Sequence, residues 1–145
     1  MGRRPGTEDT TGAACIAEAL DREWEFCKEG RLGYYTTKTL AWLSLIDGAH
    51  FNGVPATRSG ILSVWFDGVN TEELLALLEK RKVYCSAGSA CTTGEMEPSH
   101  VLAAMGAEEG SLYGTIRISI GAMNTLKELE KACGEIKTCV ELLRG

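Results

Sequence analysis

The pattern of apolar and polar positions predicts strands and amphipathic helices along most of the chain. Residues 61–66, ILSVWF, form an unbroken apolar run of the kind found in a buried strand. Residues 114–121, GTIRISIG, alternate, so their three isoleucines share one face of a second strand. After Thr125, which opens a capping box with Glu128, the apolar residues recur at helical spacing. These are Leu126, Leu129, Ala132, Cys133, Ile136, Cys139, Val140 and Leu143.

Two helices are predicted before the first strand. Residues 11–28 have small side chains along one helical face. Gly30 and Gly33 are expected to interrupt this helix, because glycine disfavours helix interiors. Residues 37–47 then form a second helix that ends near a glycine. We therefore expect a helical segment that is broken over residues 30–36.

The middle of the chain adds shorter elements. After a turn at Asp67-Gly68, Thr71 is expected to cap a helix, with two glutamates favourable in its first turn. The next segments are a strand over KVYCSA (82–87), a loop over 88–97 and a short helix from Pro98 to Met105. The resulting β-α-β-α-β-α order predicts an α/β or α+β domain, with helices covering a short mixed sheet of about three strands.

Size and charge narrow the class of protein. The chain has 145 residues, which suits one domain with its own core. Its net charge of −5 argues against nucleic acid or an anionic membrane as a partner. The first twelve residues, MGRRPGTEDTTG, have no apolar stretch behind their basic residues, unlike a secretory signal or a membrane span. These features indicate a cytoplasmic protein.

Six cysteines stand at positions 15, 27, 85, 91, 133 and 139. No pair has C-x-x-C spacing, and His50 and His100 complete no zinc pattern, so no metal site is predicted. In a reducing compartment all six are expected to be free thiols. Packing explains Cys133 and Cys139 in a predicted helix and Cys85 in a predicted strand. Cys15 and Cys27 are expected to be helix residues with no special chemistry.

Cys91 differs from the other cysteines because it lies in the predicted loop GSACTTGEME (88–97), among very small residues. Loops on a rigid scaffold commonly carry reactive groups. An incidental loop thiol is the alternative, and the local sequence leaves both open. Arg117, on the polar face of its strand, is the second candidate. A guanidinium there either is simply solvated or binds a carboxylate through two hydrogen bonds.

The segment SAGSACTTGEMEPSHVLAAMG (86–106) resembles the active-site loop of the NifS/IscS-type cysteine desulfurases. GTIRISIG resembles the strand that follows it in that family. RRPGTED near the N-terminus and FNG followed by ILSVWF are similar to further family segments, in the same order. The resemblance covers nearly the whole chain. It implies the small domain of a fold-type I pyridoxal 5′-phosphate enzyme, the C-terminal portion of a desulfurase.

The resemblance also implies roles for three residues. Cys91 would be the catalytic nucleophile that takes sulfur from L-cysteine as a persulfide and releases alanine. Arg117 would bind the substrate carboxylate. Thr7 would contact the phosphate of pyridoxal 5′-phosphate in a partner subunit. Implied partners are a large cofactor-binding domain or chain, a second copy in a homodimer, and a sulfur acceptor or scaffold protein.

The chain departs from the family in what it lacks. None of its seven lysines stands in the serine-x-histidine-lysine context of the cofactor lysine. KEGRLGYYTTKTL differs from the usual charged helix, and Ser59 stands where the family often has proline. A truncated gene, half of a split enzyme and a piece of a larger protein all fit. We expect residues 1–30 to bridge to the missing large domain and the chain alone to be inactive. The alternative functions are a non-catalytic interaction or dimerisation module and a stand-alone persulfide carrier.

Overall fold

A computed structural model describes residues 6–53, 60–87 and 99–145. These residues form six helices and four strands. The helices are α1 (Thr10–Lys28), α2 (Arg31–Leu43), α3 (Thr71–Lys80), α4 (His100–Ala104), α5 (Glu109–Gly114) and α6 (Leu126–Arg144). The strands are β1 (Ala49–Phe51), β2 (Ile61–Phe66), β3 (Ser86–Ala87) and β4 (Thr115–Ser119).

The strands form one sheet in the order β1-β2-β4-β3, and every described pair is antiparallel. The mixed helix and strand class is therefore confirmed. The sheet differs in detail from the predicted one. It has four strands rather than about three, and all its described pairs are antiparallel, whereas a mixed sheet was predicted. The additional strand, β1, has only three residues, too few for an alternating pattern to show in the sequence.

The core lies between one face of the sheet and helices α2, α3 and α6. Alternate residues of β2 and the isoleucines of β4 supply its centre. The apolar stripe and capping box of α6 are confirmed: Thr125 caps the helix, and five stripe residues are buried. The most deeply buried apolar side chains are Leu43, Leu62, Val64, Phe66, Leu74, Leu78, Ile116, Ile136, Cys139 and Val140.

The predicted break between α1 and α2 is shorter than expected. Gly30 alone makes it, with a φ of 73° in the left-handed region that favours glycine. Gly33 lies inside α2, so the prediction that it interrupts the helix was wrong. A helical glycine costs only about 1 kcal/mol, which the burial of Leu32 and Thr36 in this turn outweighs. The helix also ends at Leu43, earlier than predicted.

Two further predictions around α3 need correction. Asn70, rather than Thr71, caps the helix. Its side-chain oxygen accepts hydrogen bonds from the backbone amides of Glu72 and Glu73. Thr71 is buried and donates to the carbonyl of Tyr113. The strand predicted over 82–87 is reduced to its last two residues. After α3 the chain turns at Lys82, which has a left-handed conformation. Residues 81–83 donate backbone hydrogen bonds to the end of α3 and so do not pair in the sheet.

Helix α5 was not predicted and covers part of the second face of the sheet. Gly110 packs against Trp65 so closely that an added Cβ would lie 3.1 Å from the indole ring. Thr115, on the same face of β4 as Arg117, is buried at 4% exposure. Its hydroxyl donates to the carbonyl of Ser111, which satisfies the buried polar group.

Helix α1 is anchored at its C-terminal end only. Phe26 is its one buried residue and packs edge-on against Tyr35. Glu23 accepts a hydrogen bond from the amide of Ala122. Another side of the helix exposes an apolar stripe, with Ile16 at 63%, Leu20 at 63% and Trp24 at 69% exposure. No described residue covers this stripe.

Truncating Ile116 should strongly destabilise the domain. The side chain is fully buried in a central strand, so Ile116→Ala should lower the free energy of unfolding by roughly 2–5 kcal/mol. Ile16→Ala makes the same truncation on the exposed stripe and should change it by less than about 0.5 kcal/mol. Urea denaturation measures both. Equal losses in the free energy of unfolding would show that the buried face of the sheet does not form the core.

Candidate functional site

The candidate site lies on the sheet face that points away from the core helices. On this face, α5 covers the end of β2 at Trp65, while Arg117 is exposed. Arg117 is paired with Ser63 of β2 on one side and with Ser86 of β3 on the other. Side chains directly opposite each other in antiparallel strands share a face. The guanidinium therefore has a small hydroxyl residue on either side of it.

The guanidinium of Arg117 makes one hydrogen bond among the described residues, donating from Nη2 to Ser86 Oγ at 3.3 Å. It forms no ion pair with any residue that the structure describes. The other described arginines do meet an anionic or carbonyl oxygen: Arg22, Arg31 and Arg81 contact glutamates, and Arg144 contacts two backbone carbonyls. Within the described part of the chain, Arg117 thus keeps most of its donors for an external anion.

A chain of hydrogen bonds adjoins Arg117. Asn52, just after β1, donates from Nδ2 to Ser63 Oγ at 3.1 Å and to Thr115 Oγ1 at 2.8 Å. Thr115 in turn donates to the carbonyl of Ser111 at 2.6 Å. Asn52 and Ser63 were not predicted as site residues. A serine within the apolar run 61–66 was the available signal, because it marks the face of β2 that does not enter the core.

The other two predicted site residues are not joined to Arg117 by any contact in the described part of the chain. Cys91 lies outside the described residues, in the gap between Ala87 and Ser99. Thr7 precedes α1, is exposed, and has no side-chain hydrogen bond to a described residue. Their roles therefore stay predictions.

Three of the remaining cysteines fit packing better than catalysis. Cys133 and Cys139 are buried in α6, and Cys85 is half-buried just before β3. Burial raises the pKa of Cys85 from 9.0 to about 11. Burial, with the nearby Cys85, raises the pKa of Cys133 to about 12. Both stay protonated near neutral pH and are poor nucleophiles. Cys15 and Cys27 are exposed on α1.

The described residues do not by themselves form an enclosed site for pyridoxal 5′-phosphate. All seven lysines are described and all are exposed. Three of them, Lys28, Lys82 and Lys131, line open surface grooves rather than an enclosed pocket. Within the same residues, no cluster of three or more His, Cys, Asp or Glu side chains could hold a metal ion. No helix among them is long and apolar enough to cross a membrane.

Comparison with protein families identifies the chain. A family model described as aminotransferase class-V matches residues 2–132. The chain belongs to the class-V aminotransferase family. Among curated proteins it is similar to the cysteine desulfurase IscS of Methanosarcina thermophila, with 32% identity over 146 residues. It is also similar to the cysteine desulfurase NifS of Azotobacter vinelandii, with 30% identity over 148 residues.

These relatives are much longer than the chain. The matches cover 99% of this class-V aminotransferase chain but 36% of the Methanosarcina protein and 37% of the Azotobacter protein. A solved structure of a NifS-like protein matches with a TM-score of 0.75 and 26% identity, over 96% of this chain and 35% of its own. The resemblance to cysteine desulfurases that the loop and strand motifs indicated is therefore confirmed. The chain spans about a third of the length of these proteins.

The raised thiol pKa values predict a loss of stability in alkali. Unfolded cysteines ionise near pH 9, whereas Cys85 and Cys133 stay protonated in the fold until about 11 and about 12. The folded state then holds more protons, so the free energy of unfolding should fall as pH rises from about 9 to about 11. Urea denaturation across this range measures the slope.

Replacing one of these thiols should reduce that slope. Cys85→Ala should flatten the alkaline fall, because one of the three thiols whose pKa is raised by burial is gone. Cys27→Ala, on the exposed side of α1, serves as the matched control and should leave the slope as it is. A slope unchanged in Cys85→Ala would contradict the pKa assigned to this thiol.

Proposed function

We propose that this chain is the nucleophile-bearing, C-terminal part of a pyridoxal 5′-phosphate-dependent cysteine desulfurase. In this function L-cysteine is converted to L-alanine and its sulfur is transferred to Cys91. The observation that carries the proposal is the exposed Arg117, without an anionic partner among the described residues, beside the strand that leads to Cys91. The similarity to proteins named as cysteine desulfurases supports it.

Arg117 acts as the substrate-binding residue. An arginine fork matches the two oxygens of a carboxylate, and such paired hydrogen bonds fix orientation as well as adding affinity. Ser63 and Ser86, its neighbours across the strands, are short enough to leave the guanidinium accessible from the open face. The amino-acid substrate would be held there by its α-carboxylate.

Cys91 acts as the sulfur acceptor. It stands four positions after Ala87, whose strand pairs with the strand of Arg117. Covalent geometry therefore keeps the Cα atoms of Cys91 and Ala87 within about 14 Å of each other. The thiolate of Cys91 attacks the sulfur of the substrate and a sulfur–sulfur bond forms. The carbon–sulfur bond of the substrate breaks, its electron pair goes to the carbon, and a proton completes alanine. One thiol and one cysteine thus give one persulfide and one alanine.

The cofactor must be held mainly by residues outside this chain. Pyridoxal 5′-phosphate supplies the electron sink that makes the carbon–sulfur bond breakable. Thr7 would contribute a contact to the cofactor phosphate in a partner subunit, and a large domain would supply the lysine. We expect the chain alone to form no alanine, because it cannot orient the cofactor against the substrate.

The exposed stripe of α1 supports an interface with that large domain. Ile16, Leu20 and Trp24 lie at successive helical turns and are each more than 60% exposed. A contiguous apolar surface of this kind is characteristic of a protein contact. The same observation favours the second candidate function, an interaction or dimerisation module without catalysis. A cytoplasmic location and a sulfur acceptor protein complete the proposal.

Mixing the chain with a lysine-bearing desulfurase N-terminal half should restore alanine production from cysteine. The assay measures alanine with pyridoxal 5′-phosphate present. Cys91→Ser should abolish turnover. Arg117→Ala should lower kcat/KM about 10²-fold or more, since a charge-assisted contact to the carboxylate is lost.

Two controls separate the candidate functions. Cys15→Ser, an exposed cysteine on α1, should keep full activity. Trp24→Glu should weaken association with the added half, measured by sedimentation. Association without any alanine formation would favour the interaction module, and alanine formation by the chain alone would contradict the need for a second part.

A further inference from the structure

The hydrogen bonds beside Arg117 have a fixed direction. Thr115 Oγ1 and the carbonyl oxygen of Ser111 are 2.6 Å apart, and only the threonine has a proton to place between them. Thr115 must therefore accept, not donate, in its second contact. This requires Asn52 to present its NH₂ group to Thr115, which settles the orientation of the amide.

The same constraint decides how Ser63 is used. The second hydrogen of the Asn52 amide points to Ser63 Oγ at 3.1 Å, so Ser63 is an acceptor in this contact. Its own O–H is left to donate. Ser63 donates to no residue that the structure describes. The hydrogen-bond chain from Ser111 to Ser63 thus ends in a hydroxyl whose proton has no acceptor among the described residues.

That hydroxyl lies beside the guanidinium. Ser63 and Arg117 are direct partners in the β2–β4 pair, so their side chains stand next to each other on one face. Ser86, on the other side, accepts from Arg117 and also keeps its own O–H. Ser63 differs in that the amide of Asn52, itself held by Thr115, orients its hydroxyl beside a negatively charged group bound by Arg117.

We propose that Ser63 is a second donor to the substrate carboxylate, and that Asn52 is the positioning residue that orients it. Arg117 supplies the charge, and Ser63 adds a hydrogen bond from a fixed direction. The inference rests on the proposed function, because it takes the bound group to be the carboxylate of an amino acid. The buried Thr115 and Ser111 hold the amide of Asn52 in place.

Titration of the 145-residue chain with L-alanine tests this without turnover. Backbone amide shifts of β4 report binding, and L-alanine methyl ester, which lacks the carboxylate, should cause none of them. Ser63→Ala should weaken L-alanine binding roughly tenfold, the loss of one hydrogen bond to a charged group. Ser63→Thr keeps a hydroxyl and should restore most of the affinity. Ser119→Ala, an exposed serine of the same strand as Arg117, should change nothing.

Asn52→Ala supplies an independent test, since it keeps the Ser63 hydroxyl but removes its orientation. It should weaken binding by about threefold, and less in the Ser63→Ala background, because the two act on one donor. Equal affinity in Ser63→Ala and Ser119→Ala would overturn the inference, as would no L-alanine binding by the unaltered chain. Binding that depends on Ser63, together with no alanine formed by the reconstituted enzyme, would refute the desulfurase function and leave the carboxylate site standing.

Discussion

The antiparallel pairing of β2 with β4 is the interaction on which the core and the candidate site both depend. One face of this pair buries Leu62, Val64 and Ile116 against the helices. Because side chains alternate, the same register places Ser63 beside Arg117 on the other face. If the pairing register shifted by one residue, the apolar side chains would face solvent and the guanidinium of Arg117 would face the core. The stability of the domain and the position of its cation are therefore set by a single register.

Much of this arrangement could be predicted from local sequence. The apolar run of β2, the alternation of β4 and the stripe of α6 each follow one period over enough residues to be unambiguous. Arg117 was identified for the same reason, since alternation separates it from the isoleucines. The candidate loop around Cys91 was found from its composition and its family resemblance, and its structure lies outside the described residues.

The parts that sequence missed depend on contacts between distant segments. Strand β1 has three residues and exists through its pairing with β2. Thr115 is buried because α5 packs over it, and α5 approaches Trp65 through Gly110. The role proposed for Ser63 follows from the directions of the hydrogen bonds among Asn52, Thr115 and Ser111. These residues come together only in the fold. Conversely, the exposed stripe of α1 is locally a good amphipathic helix, and what would cover it is not within the described part of this chain.

The central claim is that this class-V aminotransferase chain accepts sulfur on Cys91 when a lysine-bearing half completes the site. Mass spectrometry of the chain after one round with L-cysteine, pyridoxal 5′-phosphate and that half tests it most directly. We expect the mass to increase by one sulfur atom, removable by a thiol reductant and located on the peptide with Cys91. An unchanged mass, or sulfur on Cys15 or Cys27 with Cys91 unmodified, would contradict the account.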